Sequence, residues 1–181
     1  MSDMAWETDV RLAIGGDREA FARVVRALSR ELYRMARTLL NSDSDIADAI
    51  QEAILQAYRS VTKVREPEFF KTWFIRILIR ECGRVKRRLD TVTLPSGYAN
   101  EAHASMQLPD LDLQAAVERL EEPPQTTVRL HYWADLPVER VAALTEVPEG
   151  TVKSRLYRAR KQLAAWLEDA DGEGDVGYER C

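Results

Sequence analysis

Apolar residues along this chain recur three and four positions apart, and almost nowhere at every second position. Across Asp17–Leu40, the residues Phe21, Val24, Val25, Leu28, Leu32, Met35, Ala36, Leu39 and Leu40 gather on one stripe, the mark of an amphipathic helix. The preceding "GGD" supplies its start. A second helix is expected over Ser44–Thr62, with Ser44 as N-cap and Asp45 and Asp48 near the positive helix end. Its inward stripe reads Ile46, Ile50, Ala53, Ile54 and Ala57. A third runs from about Glu68 to Leu89, with Phe74, Leu78, Cys82, Val85 and Leu89 on one side. Sustained alternation and Asn-Gly or Asp-Gly hairpin pairs are absent, so the expected fold is all-α.

The periodicity lapses over "DTVTLPSGYANEAHASMQLPD" (Asp90–Asp110), whose two prolines, glycine and small polar residues read as a flexible linker. Helical patterning resumes at Leu111–Leu120, then Gln125–Trp133 behind a Pro-Pro pair, then "PVERVAALT" and "GTVKSRLYRARKQLAAWL". Pro137 and Pro148 stand where helices begin. A short helix, a tight turn and a longer basic helix have the layout of a helix-turn-helix. Two small helical domains are therefore expected, at 1–90 and 111–168, joined by a linker at 91–110. The tail at 169–181 is acidic and Gly-rich, a composition that favours disorder.

Size and composition narrow the function. The 181 residues, 45% hydrophobic and 31% charged, describe a globular chain with modest cores. No apolar run approaches the roughly 20 residues of a membrane span, and "MSDMAWETDV" lacks the blocks of a signal peptide, so the cytoplasm is the expected compartment. Cys82 and Cys181 match no metal spacing; the first reads as a buried thiol, the second as a free end. His103 and His131 stand near no nucleophile or ligand set, which leaves no expected catalytic residue, metal, cofactor or small-molecule substrate.

A net charge of -4 conceals two concentrated basic segments, "RVKRR" and "KSRLYRARK". On the last helix Val152, Leu156, Ala159 and Leu163 fall together, while Lys153, Ser154, Tyr157, Arg158 and Lys161 take the opposite arc, with Arg155 and Arg160 on the flanks. Forked guanidinium, ammonium, hydroxyl and aromatic groups suit base edges and phosphates in a major groove. An isolated helix with this face reads first as a solvated bundle helix; the short helix and turn before it, and the aromatic among its basic residues, reverse that in favour of DNA. On the third helix Trp73, Arg76, Arg80, Arg84 and Arg87 share a side, with no acidic residue at four-residue spacing to relieve their repulsion. An aromatic among cations suits single-stranded DNA. The second helix turns Asp48, Gln51, Glu52 and Leu55 outward. Periodicity alone leaves Leu55 open between a protein-binding patch and burial against a neighbouring helix.

"PVERVAALTEVPEGTVKSRLYRARKQL" resembles region 4 of the extracytoplasmic-function (ECF, group 4) sigma factors of bacterial RNA polymerase. "FFKTWFIRILIRECGRVKRR" resembles their region 2, and "DIADAIQEAILQAYR" is similar to region 2.2. The resemblance spans roughly Asp17–Leu89 and Leu111–Trp166. It implies an alternative sigma factor of two helical domains that binds core polymerase, recognises -10 and -35 promoter elements and serves stress-responsive transcription. It also implies an anti-sigma partner, membrane-anchored in part of the family. By that analogy Lys153, Ser154, Arg155, Tyr157, Arg158 and Lys161 meet the -35 element. Trp73, Arg76, Arg80, Arg84 and Arg87, with the loop Val64–Phe69, meet the -10 element, and Asp48, Gln51, Glu52 and Leu55 meet the polymerase. Arg80 and Arg84 stand where many relatives carry asparagine and aspartate, which makes the stripe more basic and carries over no base preference. Two other readings are a stand-alone helix-turn-helix regulator, which leaves the first three helices unexplained, and a sigma-like decoy, which should have lost basic character at its DNA faces.

Overall fold

A computed structural model describes residues 3–92 and 108–172, with side chains described over 6–88 and 113–167. Two compact units divide the chain, one dominated by residues 1–96 and the other by 97–181. The described residues are helical with no strand, as the periodicity requires. Among them every buried side-chain polar atom has a hydrogen-bond partner. The predicted linker lies largely outside the described residues, as do His103, Cys181 and the tail beyond Gly172. The flanking helices end at Val92 and resume at Leu108, and the last helix runs to Gly172, so 169–172 are helical where the composition favoured disorder.

The first unit packs α1 (Asp3–Ile14), α2 (Arg18–Leu39), α3 (Asp43–Ser60) and α4 (Phe70–Val92). Helix α1 was not expected from the sequence. It stops at Gly15 and Gly16, whose N–H groups bond back to Arg11 and Ala13 carbonyls at 3.0 Å, Gly16 at φ 94. Asp17 then caps α2, its carboxylate accepting from the Ala20 N–H at 2.9 Å. Phe21, Val24, Leu28, Leu32, Met35, Ala36 and Leu39 are buried along α2, as its stripe predicts, though Val25 is only half-buried.

Helix α3 corrects two expectations. Its N-cap is Ser42 rather than Ser44; the two hydroxyls bond each other at 2.8 Å, and neither caps the backbone, so Asp43 and Asp45 carry the first-turn charge. Its buried stripe is Ile46, Ala49, Ala53 and Ala57, while Ile50 and Ile54 are half-exposed. Small residues at this contact let α3 approach its neighbours closely, and the larger isoleucines are displaced to the edge.

Short 3₁₀ turns at Val61–Lys63 and Pro67–Phe69 lead into α4. Phe70, Phe74, Ile75, Leu78, Cys82 and Val85 are buried there; the Leu89 side chain lies outside the described ones. Phe74 is the hub, 6.4 Å from the Phe21 ring and 6.1 Å from Phe70. Burial pushes the Cys82 thiol up to about 12, so it packs as a small apolar group with little thiolate character.

In the second unit α5 (Leu108–Glu118) is followed by α6 (Pro124–Val128), a π-helical turn (Arg129–Trp133), α7 (Val138–Thr145) and α8 (Glu149–Gly172). The buried Gln125 amide donates to the Val117 and Glu118 carbonyls at 2.9 Å, satisfying the end of α5. Arg129 is buried beside Glu118 at 3.7 Å, and desolvation lowers its pKa from the usual value. The π turn brings His131 Nδ1 to 2.8 Å from the Leu136 carbonyl, a packing role for that residue. Pro137 and Pro148 stand one position ahead of their helices. The Pro137 carbonyl accepts from Arg140 and Val141 at 2.9 and 3.0 Å, and that of Pro148 accepts from Thr151 and Val152 at 2.9 and 3.2 Å.

Candidate nucleic-acid and polymerase interfaces

Helix α8 is positioned by its inner stripe. Val152, Leu156, Ala159 and Leu163 are all buried, in the register the spacing predicts. That leaves Lys153, Ser154, Tyr157, Arg158 and Lys161 exposed together, with Tyr157 64% exposed. Lys153 lies 3.7 Å from Glu149, and the Ser154 hydroxyl donates to the Thr151 carbonyl at 2.9 Å. Arg158 Nε lies 3.4 Å from the Ser154 carbonyl, which lays its guanidinium along the helix surface. Arg155 is set apart from these five. It is half-buried and lines a cleft with Glu121, Glu122 and Pro124, onto which Arg158 also opens.

Helix α4 is held more tightly. Trp73 is half-buried, its ring 5.3 Å from Phe70 and 6.2 Å from Phe74, so only part of the indole is open for stacking. Arg76 is half-buried; Arg80, Arg84 and Arg87 are exposed. The stripe does have an acidic neighbour, at three-residue rather than four-residue spacing. Glu81 is only 6% exposed, and its carboxylate accepts from Arg84 Nη1 at 2.7 Å. Seven residues after Phe74, Glu81 falls on the inner flank of α4, so Arg84 neutralises a buried charge as well as facing outward. Phe69 is 55% exposed immediately before α4, an aromatic that the sequence reading placed only within the Val64–Phe69 loop. Lys71 binds Glu31 at 2.8 Å and ties the start of α4 to α2.

On α3 the four residues expected to face a protein partner are all exposed, and Leu55, at 39%, is not buried against another helix. They divide between two hollows. Leu55 and Gln51 line an apolar groove of about 400 Å³ with Tyr33, Ala47, Ile50 and Ile54. Asp48, Glu52 and Gln51 line a polar cleft with Glu81, Arg84 and Arg88, across which Asp48 and Arg88 stand 3.6 Å apart. The groove depends on the half-exposed Ile50 and Ile54, which periodicity assigns to the core. Among the described residues no cluster of His, Cys, Asp or Glu could hold a metal, and no helix is long and apolar enough to cross a membrane.

These two units coincide with known modules. Residues 24–91 match the family model of sigma-70 region 2, and residues 110–163 match that of sigma-70, region 4, so the chain carries the paired modules of a sigma factor. Relatives narrow the group. RNA polymerase sigma factor SigV of Bacillus subtilis (strain 168) is 32% identical over 145 residues, covering 78% of this chain and 87% of its own. ECF RNA polymerase sigma factor SigM of Mycobacterium tuberculosis (strain ATCC 25618 / H37Rv) is 31% identical over 157 residues, covering 85% and 80%. The chain belongs to the ECF group of the sigma-70 family and is an alternative sigma factor acting in transcription initiation.

Solved structures share the fold. CnrH, in complex with the cytosolic domain of CnrY, superposes with a TM-score of 0.63 at 20% identity, over 91% of this chain and 98% of that one. The sigma factor RpoE, co-crystallised with the anti-sigma factor NepR from Bartonella quintana, gives 0.54 at 23% identity, over 82% and 96%.

Proposed function

We propose that residues 111–168 read the -35 element through α8 while residues 1–90 hold the polymerase and engage the -10 element, with 91–110 as the tether and 169–181 as a tail. The carrying observation is the outer face of α8: five exposed polar side chains, Lys153, Ser154, Tyr157, Arg158 and Lys161, opposite a fully buried apolar stripe in a helix-turn-helix. Such a face enters a major groove, where Arg and Lys reach guanine O6 and N7. Arg155, half-buried, contributes from the flank. On α4, Arg80, Arg84 and Arg87 track the -10 backbone, while Arg76 and the exposed edge of Trp73 lie at its margin. Asp48, Gln51, Glu52 and Leu55 form the contact with core polymerase, the apolar groove supplying its water-excluding centre.

The protein works in the cytoplasm, and phosphodiester chemistry belongs to the polymerase. An anti-sigma protein, membrane-anchored or soluble, holds it inactive, in keeping with the complexes in which CnrH and RpoE were solved. The test is transcription: purified chain, sigma-free core polymerase and genomic DNA, with transcript starts mapped. Sharp starts sharing a pair of upstream elements support the reading. Starts indistinguishable from those of core enzyme alone contradict it.

A further inference from the structure

Neither DNA face described above includes α2, yet α2 carries six arginines against two glutamates in a chain of net charge -4. Arg23, Arg26, Arg30, Arg34 and Arg37 are all exposed, and their spacing of three and four residues puts them on one stripe. From Arg23 to Arg37 the stripe runs about 21 Å at the helical rise. The acidic residues near it are committed elsewhere or to its ends. Asp9 holds Arg23 at 2.7 Å, Asp43 holds Arg37 at 3.1 Å, and Glu31 turns to Lys71. Glu19 lies on the same face one turn before Arg23, whose charge it favours. Among the described residues Arg26, Arg30 and Arg34 have no carboxylate partner, and they occupy the middle of the stripe.

Three like charges one turn apart repel one another, and nothing inside the fold relieves them. A stripe of this sign and density fits a polyanion. Ala27 and Ser29 between them are small; the exposed aromatic of this face, Tyr33, leans to the Asp43 carboxylate, 3.5 Å away, and lines the groove beside Leu55, at the edge of the stripe rather than its centre. A DNA duplex, by contrast, presents on the order of a dozen phosphate charges along the same length. Glu31, on the flank of this stripe, binds Lys71 at the start of α4, on the side of α4 away from Arg76, Arg80, Arg84 and Arg87, so the α2 stripe is a surface of its own on the first unit.

We propose that Arg26, Arg30 and Arg34 form an additional phosphate-tracking contact, by which the first unit holds a stretch of promoter backbone separate from that met by α4. The inference rests on the promoter-binding reading above. The contact is sequence-independent: it adds affinity and salt dependence without adding base preference.

The test compares holoenzymes assembled with the wild-type chain and with the triple variant Arg26→Gln, Arg30→Gln, Arg34→Gln. Both are titrated on a duplex carrying a mapped start site and on its non-template strand alone, across a salt series. The expected result is weaker binding at every sequence, with the slope of log affinity against log salt shallower by about 2 to 3, since each lost duplex phosphate contact removes about 0.9 and each single-strand contact about 0.7. Core polymerase affinity and helical content should stay unchanged, and the triple lysine variant should recover the wild-type slope. An unchanged slope in the glutamine variant overturns the proposal, as does lost core affinity with the slope intact, which would make the stripe a protein contact. A wild-type holoenzyme that finds no promoter refutes the underlying reading and this inference with it.

Discussion

Helices α8 and α4 both carry exposed arginines proposed to meet DNA, but they are built on opposite terms. On α8 the working face is separate from the packing face: four buried apolar residues hold the helix, and five exposed polar ones do nothing for the core. On α4 the two functions overlap. Trp73 is half inside the Phe70–Phe74 cluster, and Arg84 is the partner of the buried Glu81. A helix entering an undistorted major groove needs only a rigid exposed face. One that engages opened strands needs side chains fixed in advance, because each freely rotating arginine loses conformational entropy on binding. The difference makes α8 tolerant of change without loss of stability and makes α4 intolerant.

The strongest expected effect removes the hub of α4. Phe74→Ala should cost about 3 to 5 kcal/mol of stability in the first unit, read by denaturant unfolding. The region 4 helices should stay formed, as shown by an unaltered near-ultraviolet signal from Trp133 and Trp166 in a background lacking the other tryptophans. Arg158→Ala should then separate function from stability. The free energy of unfolding should change by less than about 0.5 kcal/mol, while binding to a promoter with an intact -35 element weakens by about 1 to 3 kcal/mol. Arg84→Ala should fail to separate them. It strands the buried Glu81 and should cost about 1 to 2 kcal/mol of stability, less than a fully buried pair because Arg84 is largely solvated. Double substitution with Glu81→Gln should recover much of that loss, whereas a change confined to DNA affinity would show that the pair is incidental.

Two smaller effects lie outside the DNA faces. Glu52→Ala should weaken core polymerase binding by about 1 kcal/mol with promoter discrimination intact, measured by competition against the wild-type chain. Asp135 holds φ at 51, a left-handed conformation that glycine adopts without strain. Asp135→Gly should therefore leave unit stability unchanged or raise it by up to about 1 kcal/mol.

The parts of this account legible in the sequence are those that depend on periodicity. The α8 register, the α4 core side and the outward Asp48, Gln51 and Glu52 all follow from helical spacing, because a buried helix must repeat its apolar residues near 3.6, whereas Leu55 was left open by it. What spacing misses is size and partnership. It cannot tell that Ala49 suits the close α3 contact better than Ile50, so the groove beside Leu55 was hidden. It passes over Glu81, three residues before Arg84, which the fold buries against that arginine. Helix α1 escaped because its buried side is short, Val10 and Ala13 with Trp6 against Phe70 at 6.3 Å, and makes no long apolar stripe. The π turn at Arg129–Trp133, which leaves the neighbouring Tyr132 and Trp133 exposed, has no signal in the residue pattern.

The division of labour between the two units is tested most directly by crossing protein and promoter changes. Wild-type and Arg158→Ala holoenzymes would be titrated on one mapped promoter carrying either its own or a scrambled -35 element. Scrambling should lower the affinity of the wild-type enzyme at least tenfold and leave that of the variant nearly unchanged. If the variant loses as much as the wild type when the element is scrambled, α8 does not read that element through Arg158, and the assignment of its outer face is wrong.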